Sequence, residues 1–295
     1  MIKKTLYFGN PASLRVKNKQ LLVKREDEED RSVPIEDIGF LILDHYGVSI
    51  SHGALSELLK NNVAVITTNE KHMPEGMFLP LAGNSEQNER FRYQLNATEP
   101  LKKQLWKQTV KAKIRNQAEL LYQLGLENKI VKKMDGKVLS GDSGNHEAQA
   151  ARYYWSILFK PFLFRRKRYG EPPNNLLNYG YAILRAIIAR ALTGSGLLPG
   201  VGIHHRNRYN AYPLADDIME PFRPYVDEIV WNLAMNEYDI TELTTEIKRE
   251  LLDIPNIPVT LENQSFPLML AATRSTASLQ KCFSGESRKL VYPQI

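Results

Sequence analysis

Chemistry in this sequence concentrates in three short segments. In Gly141-Asp142-Ser143-Gly144-Asn145-His146-Glu147, Asn145 is placed to cap a helix, its side-chain oxygen accepting an orphan N–H of the first turn. Glu147 then falls in that turn, where the helix dipole favours an anion. A carboxylate there commonly does no more than complement the dipole. Ala148, Ala150 and Ala151, however, leave little bulk around it, so another helix or a ligand can approach closely. The second segment, Leu197 to Asn210, sets His204 beside His205 in a Gly-rich, basic loop. Neutral imidazole is a good ligand for divalent transition metals, but adjacent side chains point apart in extended backbone. One histidine is therefore expected to serve a site and the other to be structural. The third segment, Leu214 to Pro224, spaces Asp217 and Glu220 i,i+3 on one helix face, with Pro221 forcing a helix start or a kink nearby. Its apolar frame of Leu214, Ile218, Met219 and Phe222 draws those acids toward buried surroundings.

A carboxylate–imidazole set of this kind suits Mn²⁺, and Mg²⁺ if waters complete its shell. There is no Gly-x-Ser-x-Gly elbow, phosphate-binding loop or Gly-x-Gly-x-x-Gly, and the single cysteine, Cys282, excludes an intrachain disulfide and a cysteine-based zinc site.

The elements that must position these residues change character along the chain. Up to about residue 76 the pattern is mainly short strands: 5–9, a hairpin of 13–16 and 20–23, and apolar runs at 38–43 and 63–67. A single short helix is expected at 51–60. Residues 77–100 are polar and punctuated by Pro80, Gly83, Asn84 and Pro100, and read as a linker. From 101 to 295 the pattern is helical, with helices expected at 101–125, 145–160, 176–193, 217–232, 239–252 and 264–278. The fold class is α+β: a small β-sandwich-like N-terminal domain, then a larger all-α domain.

Charge follows the same division. Residues 1–80 hold 10 Lys+Arg against 11 Asp+Glu, and 81–295 hold 29 against 22, so the basic excess lies in the helical part. Such asymmetry points to a polyanionic partner, most often nucleic acid. Lys103, Lys107, Lys111 and Arg115 recur every fourth residue and form a stripe along one helix. No apolar run approaches the roughly 18 residues of a membrane span, and the N-terminus leads into strand-like residues rather than a signal core. A soluble, cytoplasmic protein is expected.

Several long motifs resemble one family. They are N-x-E-A-x-A-A-R-x-Y-W at 145–155, L-N-Y-G-Y-A-I-L-R-A at 177–186, G-I-H-H-x-N at 202–207, L-A-D-D-I-M-E-P-F-R-P at 214–224, and W-K-Q-T-V-K-A-K-I-R-N-Q at 106–117. All are similar to the CRISPR-associated integrase of spacer acquisition, in a type II-like form, and the likeness runs through essentially the whole chain. It implies that Glu147, His205 and Glu220 bind Mg²⁺ or Mn²⁺, with Asp217 as an auxiliary ligand. His205 is preferred to His204 because the family histidine ends a Gly-x-x-His step, here Gly202 to His205. Many members carry Asp where Glu220 stands, which leaves the principal ligand open between Asp217 and Glu220. Arg152 is implied to orient Glu147 or a phosphate, with Asn178 and Arg185 as further DNA contacts.

The implied activity is endonuclease and integrase: a 3′-hydroxyl of captured DNA attacks a phosphodiester at the edge of a repeat. The implied partners are double-stranded and branched DNA, a second copy of the chain through the β domain, and a dimer of the small second CRISPR-associated protein. Whether a type II effector nuclease joins selection stays open. Lys103, Lys107, Lys111, Arg115 and Arg165, Arg166, Lys167 and Arg168 are the expected phosphate contacts. The rival readings are a non-catalytic DNA-binding scaffold and a hydrolase of small phosphoesters, the latter leaving the basic lobe unexplained.

Overall fold

The computed structural model describes residues 3–26, 28–167, 169–236 and 238–295. The chain forms two compact units, 1–85 and 86–295.

In the first unit, β1 (Lys4–Phe8), β5 (Ile38–Leu43) and β7 (Ala64–Thr68) pair in parallel, and β8 (Pro74–Phe78) closes that sheet antiparallel to β7. The apolar run of β5 sits centrally, as a strand covered on both faces must. A second sheet runs β4 (Arg31–Pro34), β3 (Gln20–Lys24), β2 (Ala12–Lys17), β6 (Val48–Ile50). Its β2–β3 hairpin turns on Asn18 and Lys19, both at positive φ, as a tight two-residue hairpin turn requires. Helix α1 (His52–Lys60) is capped by Ser51, whose Oγ accepts from the Ala54 N–H at 3.2 Å. Both sheets and α1 feed one core, including Leu14, Leu21, Ile38, Leu41, Leu58 and Val65. The strands thus form two sheets, and α1 is the single short helix expected at 51–60.

The second unit begins inside the stretch expected as linker. Helix α2 (Gln87–Leu95) and the start of α3 (Glu99–Gln123) occupy it, and β8 extends the first unit past residue 76. Polarity misled here: α2 is short and mostly exposed, anchored by Gln94, whose side chain donates to the Leu198 and Val201 carbonyls at 2.9 Å and accepts from the Leu198 N–H. The remaining helices are α4 (Lys129–Asp135), α5 (His146–Leu158), α6 (Asn174–Gly194), α7 (Pro213–Met219), α8 (Arg223–Met235), α9 (Thr245–Leu252) and α10 (Leu268–Phe283). Helix α6 is buried along most of its length and packs against α7, α8, α9 and α10.

The unit is not wholly helical. β9 (Pro258–Leu261) and β10 (Gln264–Pro267) form a hairpin through Glu262 and Asn263, so the helix expected from 264 starts at 268. Likewise α9 starts at 245, not 239, because Thr244 caps it by accepting from the Ile247 N–H.

Candidate functional site

Helix α5 presents Glu147 differently from the sequence expectation. Asn145 is left-handed (φ 51°) and its side chain makes no cap bond. Asp142 does the capping: Oδ1 accepts from the His146 N–H and Oδ2 from the Glu147 N–H, each at 2.9 Å. The carboxylate satisfies two orphan donors at once, and the left-handed Asn145 makes the turn that lets it reach them.

The histidine loop is built around Asp217. This side chain is fully buried. Oδ2 accepts from the backbone N–H of Ile203 (2.7 Å) and of His204 (3.0 Å), while Oδ1 accepts from the His205 N–H (3.1 Å) and from His205 Nδ1 (2.6 Å). Facing a carboxylate, Nδ1 must carry the proton, which leaves Nε2 with its lone pair. The Asp217 bond raises the imidazole pKa above its ordinary value, outweighing partial burial. His204 plays the structural part: it stacks on Trp106 of α3 at 4.1 Å, nearly parallel, and burial lowers its pKa. Arg185 and Asn210 both donate to Asp216, at 2.6 and 2.7 Å, tying the loop to α6 and α7. Arg185 thus pairs with Asp216 while its side chain stays 42% exposed.

Glu220 opens a 3-10 turn (Glu220–Phe222) between α7 and α8, where Pro221 interrupts the helix as its missing N–H requires. Asn116 of α3 pins the turn by donating to the Pro221 carbonyl at 2.8 Å. Glu220 is buried and meets two cationic side chains, with an imidazole further off. Arg223 Nε donates to Oε1 at 2.9 Å, Lys113 Nζ lies 2.5 Å from Oε2, and His205 is within electrostatic reach. Burial alone would raise the Glu220 pKa; Arg223 and Lys113 outweigh it and bring it down to about 2. The same ammonium contacts Glu147 Oε1, so Lys113 bridges the two acids that sequence reasoning singled out. Burial works against the Lys113 charge, but Glu220 and Glu147 reverse that and raise its pKa.

Spacing along α3 points to its partly exposed basic stripe and not to Lys113. Its signal was present: Trp106, Val110, Lys113 and Gln117 share the buried face, and a lysine on an apolar stripe needs a buried partner.

A cleft of about 230 Å³ opens beside this trio. Lys113, Gln117, Glu147 and Glu220 form one part of its lining, and Arg166, Tyr181, Arg223 and Asp227 another. Asp227 accepts from the hydroxyls of Tyr154 (2.8 Å) and Tyr181, and burial raises its pKa to about 6 despite both bonds. Arg223 and Arg166 lie over the Tyr181 ring, at 4.4 and 5.3 Å. Arg166 also donates to Asn174 and Asn178, at 3.0 and 2.8 Å, and burial lowers its pKa. His205 does not line the cleft. As placed, no three His, Cys, Asp or Glu side chains close around a common point among the described residues.

The other basic residues separate into two kinds. Lys103 is exposed and Lys107 half-exposed, whereas Lys111 and Arg115 reach Asp135 of α4 at 3.9 and 3.0 Å. Arg152 is exposed on α5, and Lys113, not Arg152, holds Glu147. Arg165 and Lys167 are exposed, and Arg168 lies outside the described residues.

This fold, a stranded unit followed by a mainly helical one, is shared with solved structures. A casposase bound to integration product matches with a TM-score of 0.80 at 20% identity, covering 98% of this chain and 92% of that one. A Cas6-RT-Cas1–Cas2 complex matches at 0.76 and 21%, covering 99% of this chain and 36% of that one. In sequence, the chain is 36% identical over 298 residues to the CRISPR-associated endonuclease Cas1 of Neisseria meningitidis serogroup C (strain 8013), covering 100% of this chain and 97% of that protein. The family model described as CRISPR associated protein Cas1 matches residues 6–251. The chain belongs to the Cas1 family.

Proposed function

We propose that this protein is a divalent-metal-dependent DNA endonuclease and integrase that inserts captured DNA into a CRISPR array. The observation that carries the reading is the convergence of Glu147 and Glu220 on one cationic point, with His205, oriented by Asp217, within electrostatic reach of Glu220. Family membership and the endonuclease name of the Neisseria relative support it.

The donor set fits Mg²⁺ or Mn²⁺. The Lys113 ammonium marks a point within bonding reach of an oxygen from each acid, as a hard divalent cation demands. Asp217 acts as the partner that fixes the histidine, since all its contacts are already engaged; this is how metal-ligating histidines are commonly oriented. Glu147, Glu220 and His205 Nε2 would hold the ion. When bound, it polarises the phosphoryl oxygen and stabilises charge developing on the attacking and departing oxygens. Arg166 and Arg223, in the same cleft, would hold the phosphodiester in line for attack. A DNA 3′-hydroxyl as nucleophile forms a new phosphodiester and displaces the other 3′-oxygen; water in its place gives hydrolysis.

The proposed partners are double-stranded and branched DNA, a second copy through the N-terminal unit, and a Cas2-type dimer. The fold relatives, a casposase bound to integration product and a Cas6-RT-Cas1–Cas2 complex, favour them. Lys103, Lys107, Arg165 and Lys167 would supply backbone contacts at the surface.

Incision of end-labelled branched DNA tests the reading. Wild type should cut with Mn²⁺ and not with chelator, and Glu147→Gln and Glu220→Gln should bind the DNA without cutting it. Cutting by both variants at the wild-type rate would refute the site.

A further inference from the structure

Lys113 raises a question of its own. It reaches the acids from α3, while Glu147 stands on α5 and Glu220 on the turn after α7. Its side chain is 8% exposed, and its ammonium fills the point between the two carboxylates. A divalent ion bonded to both oxygens would need that same point. An ammonium and a metal ion repel each other and cannot share it.

A second observation lies one helical turn along. Gln117 follows Lys113 at i+4 on the same face of α3, is 2% exposed, and lines the same cleft. Its Oε1 is buried with no hydrogen-bond donor among the described residues. A buried acceptor left without a donor is rare and calls for a reason. The neutral amide oxygen can take a lysine ammonium but offers too little charge to compete with two carboxylates for it.

Resting on the metal-site reading above, we propose that Lys113 is a movable internal counter-ion: it neutralises Glu147 and Glu220 when no divalent ion is present, and swings to Gln117 Oε1 when one enters. Glu147 then never stands without a cationic partner, Glu220 keeps Arg223 throughout, and Gln117 gains its missing donor. Lys113 thereby sets how tightly the protein takes up its ion. It acts as a positioning residue with a cost built into loading.

Mn²⁺ binding, followed by calorimetry or by loss of the free-ion electron paramagnetic signal, tests this without any activity. Wild type should show a saturable site that Glu147→Gln abolishes. Lys113→Met removes the competitor and should bind Mn²⁺ at least about tenfold more tightly, because the ion no longer displaces an ammonium and now pairs a Glu147 that has lost its cationic partner. Gln117→Met keeps Lys113 and the resting pair but removes the landing point. It should melt like wild type without metal and bind Mn²⁺ several-fold more weakly. Unchanged or weaker binding by Lys113→Met, beside a normal wild-type site, overturns the proposal. If Lys113→Met does not fold, unchanged Mn²⁺ affinity in Gln117→Met overturns it. No saturable site sensitive to Glu147→Gln in any protein would sink the metal reading itself, and this proposal with it.

Discussion

Asp217→Asn should loosen the histidine loop and cost stability far out of proportion to one atom. Four donors converge on this buried carboxylate: the N–H groups of Ile203 and His204 on Oδ2, and the N–H and Nδ1–H of His205 on Oδ1. An amide keeps only one oxygen and turns an N–H₂ toward the other two donors. Each donor orphaned in a buried site costs about 1–3 kcal/mol, so the variant should lose ~2–6 kcal/mol. Urea denaturation at neutral pH reads this directly. A second signature follows from His205, whose raised pKa owes most to the Asp217 bond. Its folded pKa lies above the unfolded value. Its protonation therefore stabilises the fold fully below about pH 6.5, and that contribution fades as pH climbs through the raised value. In Asp217→Asn the imidazole should titrate lower, by NMR, and this pH-dependent contribution should shrink. A variant within about 0.5 kcal/mol of wild type, with His205 titrating as before, would refute the claim that Asp217 builds the loop.

Three further outcomes are expected. Gly202→Ala would place a Cβ 2.7 Å from the His205 carbonyl oxygen and 2.8 Å from Asp217 Oδ2; neither can retreat, so denaturation should show a loss of about 1–3 kcal/mol. Asp227 has a folded pKa raised to about 6 from 3.8, so the unfolded state releases its proton first and stability falls as pH rises between those values; relative to Asp227→Asn, wild type should lose about 3 kcal/mol from pH 3 to pH 7 in paired denaturation curves. Replacing Lys103 and Lys107 together by Ala should flatten the slope of log affinity against log salt by ~1.8 in filter binding, and replacing Lys111 and Arg115 by less, because Asp135 already engages them.

Regular elements were legible where pattern and burial agree. The apolar run 38–43 is a strand with those bounds, and the helices carrying Trp106, Glu147 and Arg185 lie within a few residues of expectation. Short polar pieces were not. Strands 31–34 and 48–50 have too few residues to show alternation, and helix 87–95 is held by Gln94 rather than by an apolar face. In the site, Glu147 and Glu220 could be named from their settings and from family motifs. The side chains that arrange them could not: Asp142 caps in place of Asn145, and Asp217 spends its charge on loop backbone. Lys113 meets Glu147 from 34 positions away, and Glu220 from still further along the chain. Such contacts depend on tertiary packing, which spacing along one helix does not report.

The central claim is most directly tested by strand joining. A labelled fragment with free 3′-hydroxyls would be incubated with a supercoiled plasmid bearing the cognate repeat, the protein and its Cas2-type partner. With Mn²⁺, label should become covalently attached to nicked plasmid, and chelator, Glu147→Gln or His205→Ala should each abolish attachment while DNA binding persists. Joining that survives both substitutions, or DNA binding with no joining under any divalent ion, would contradict the account.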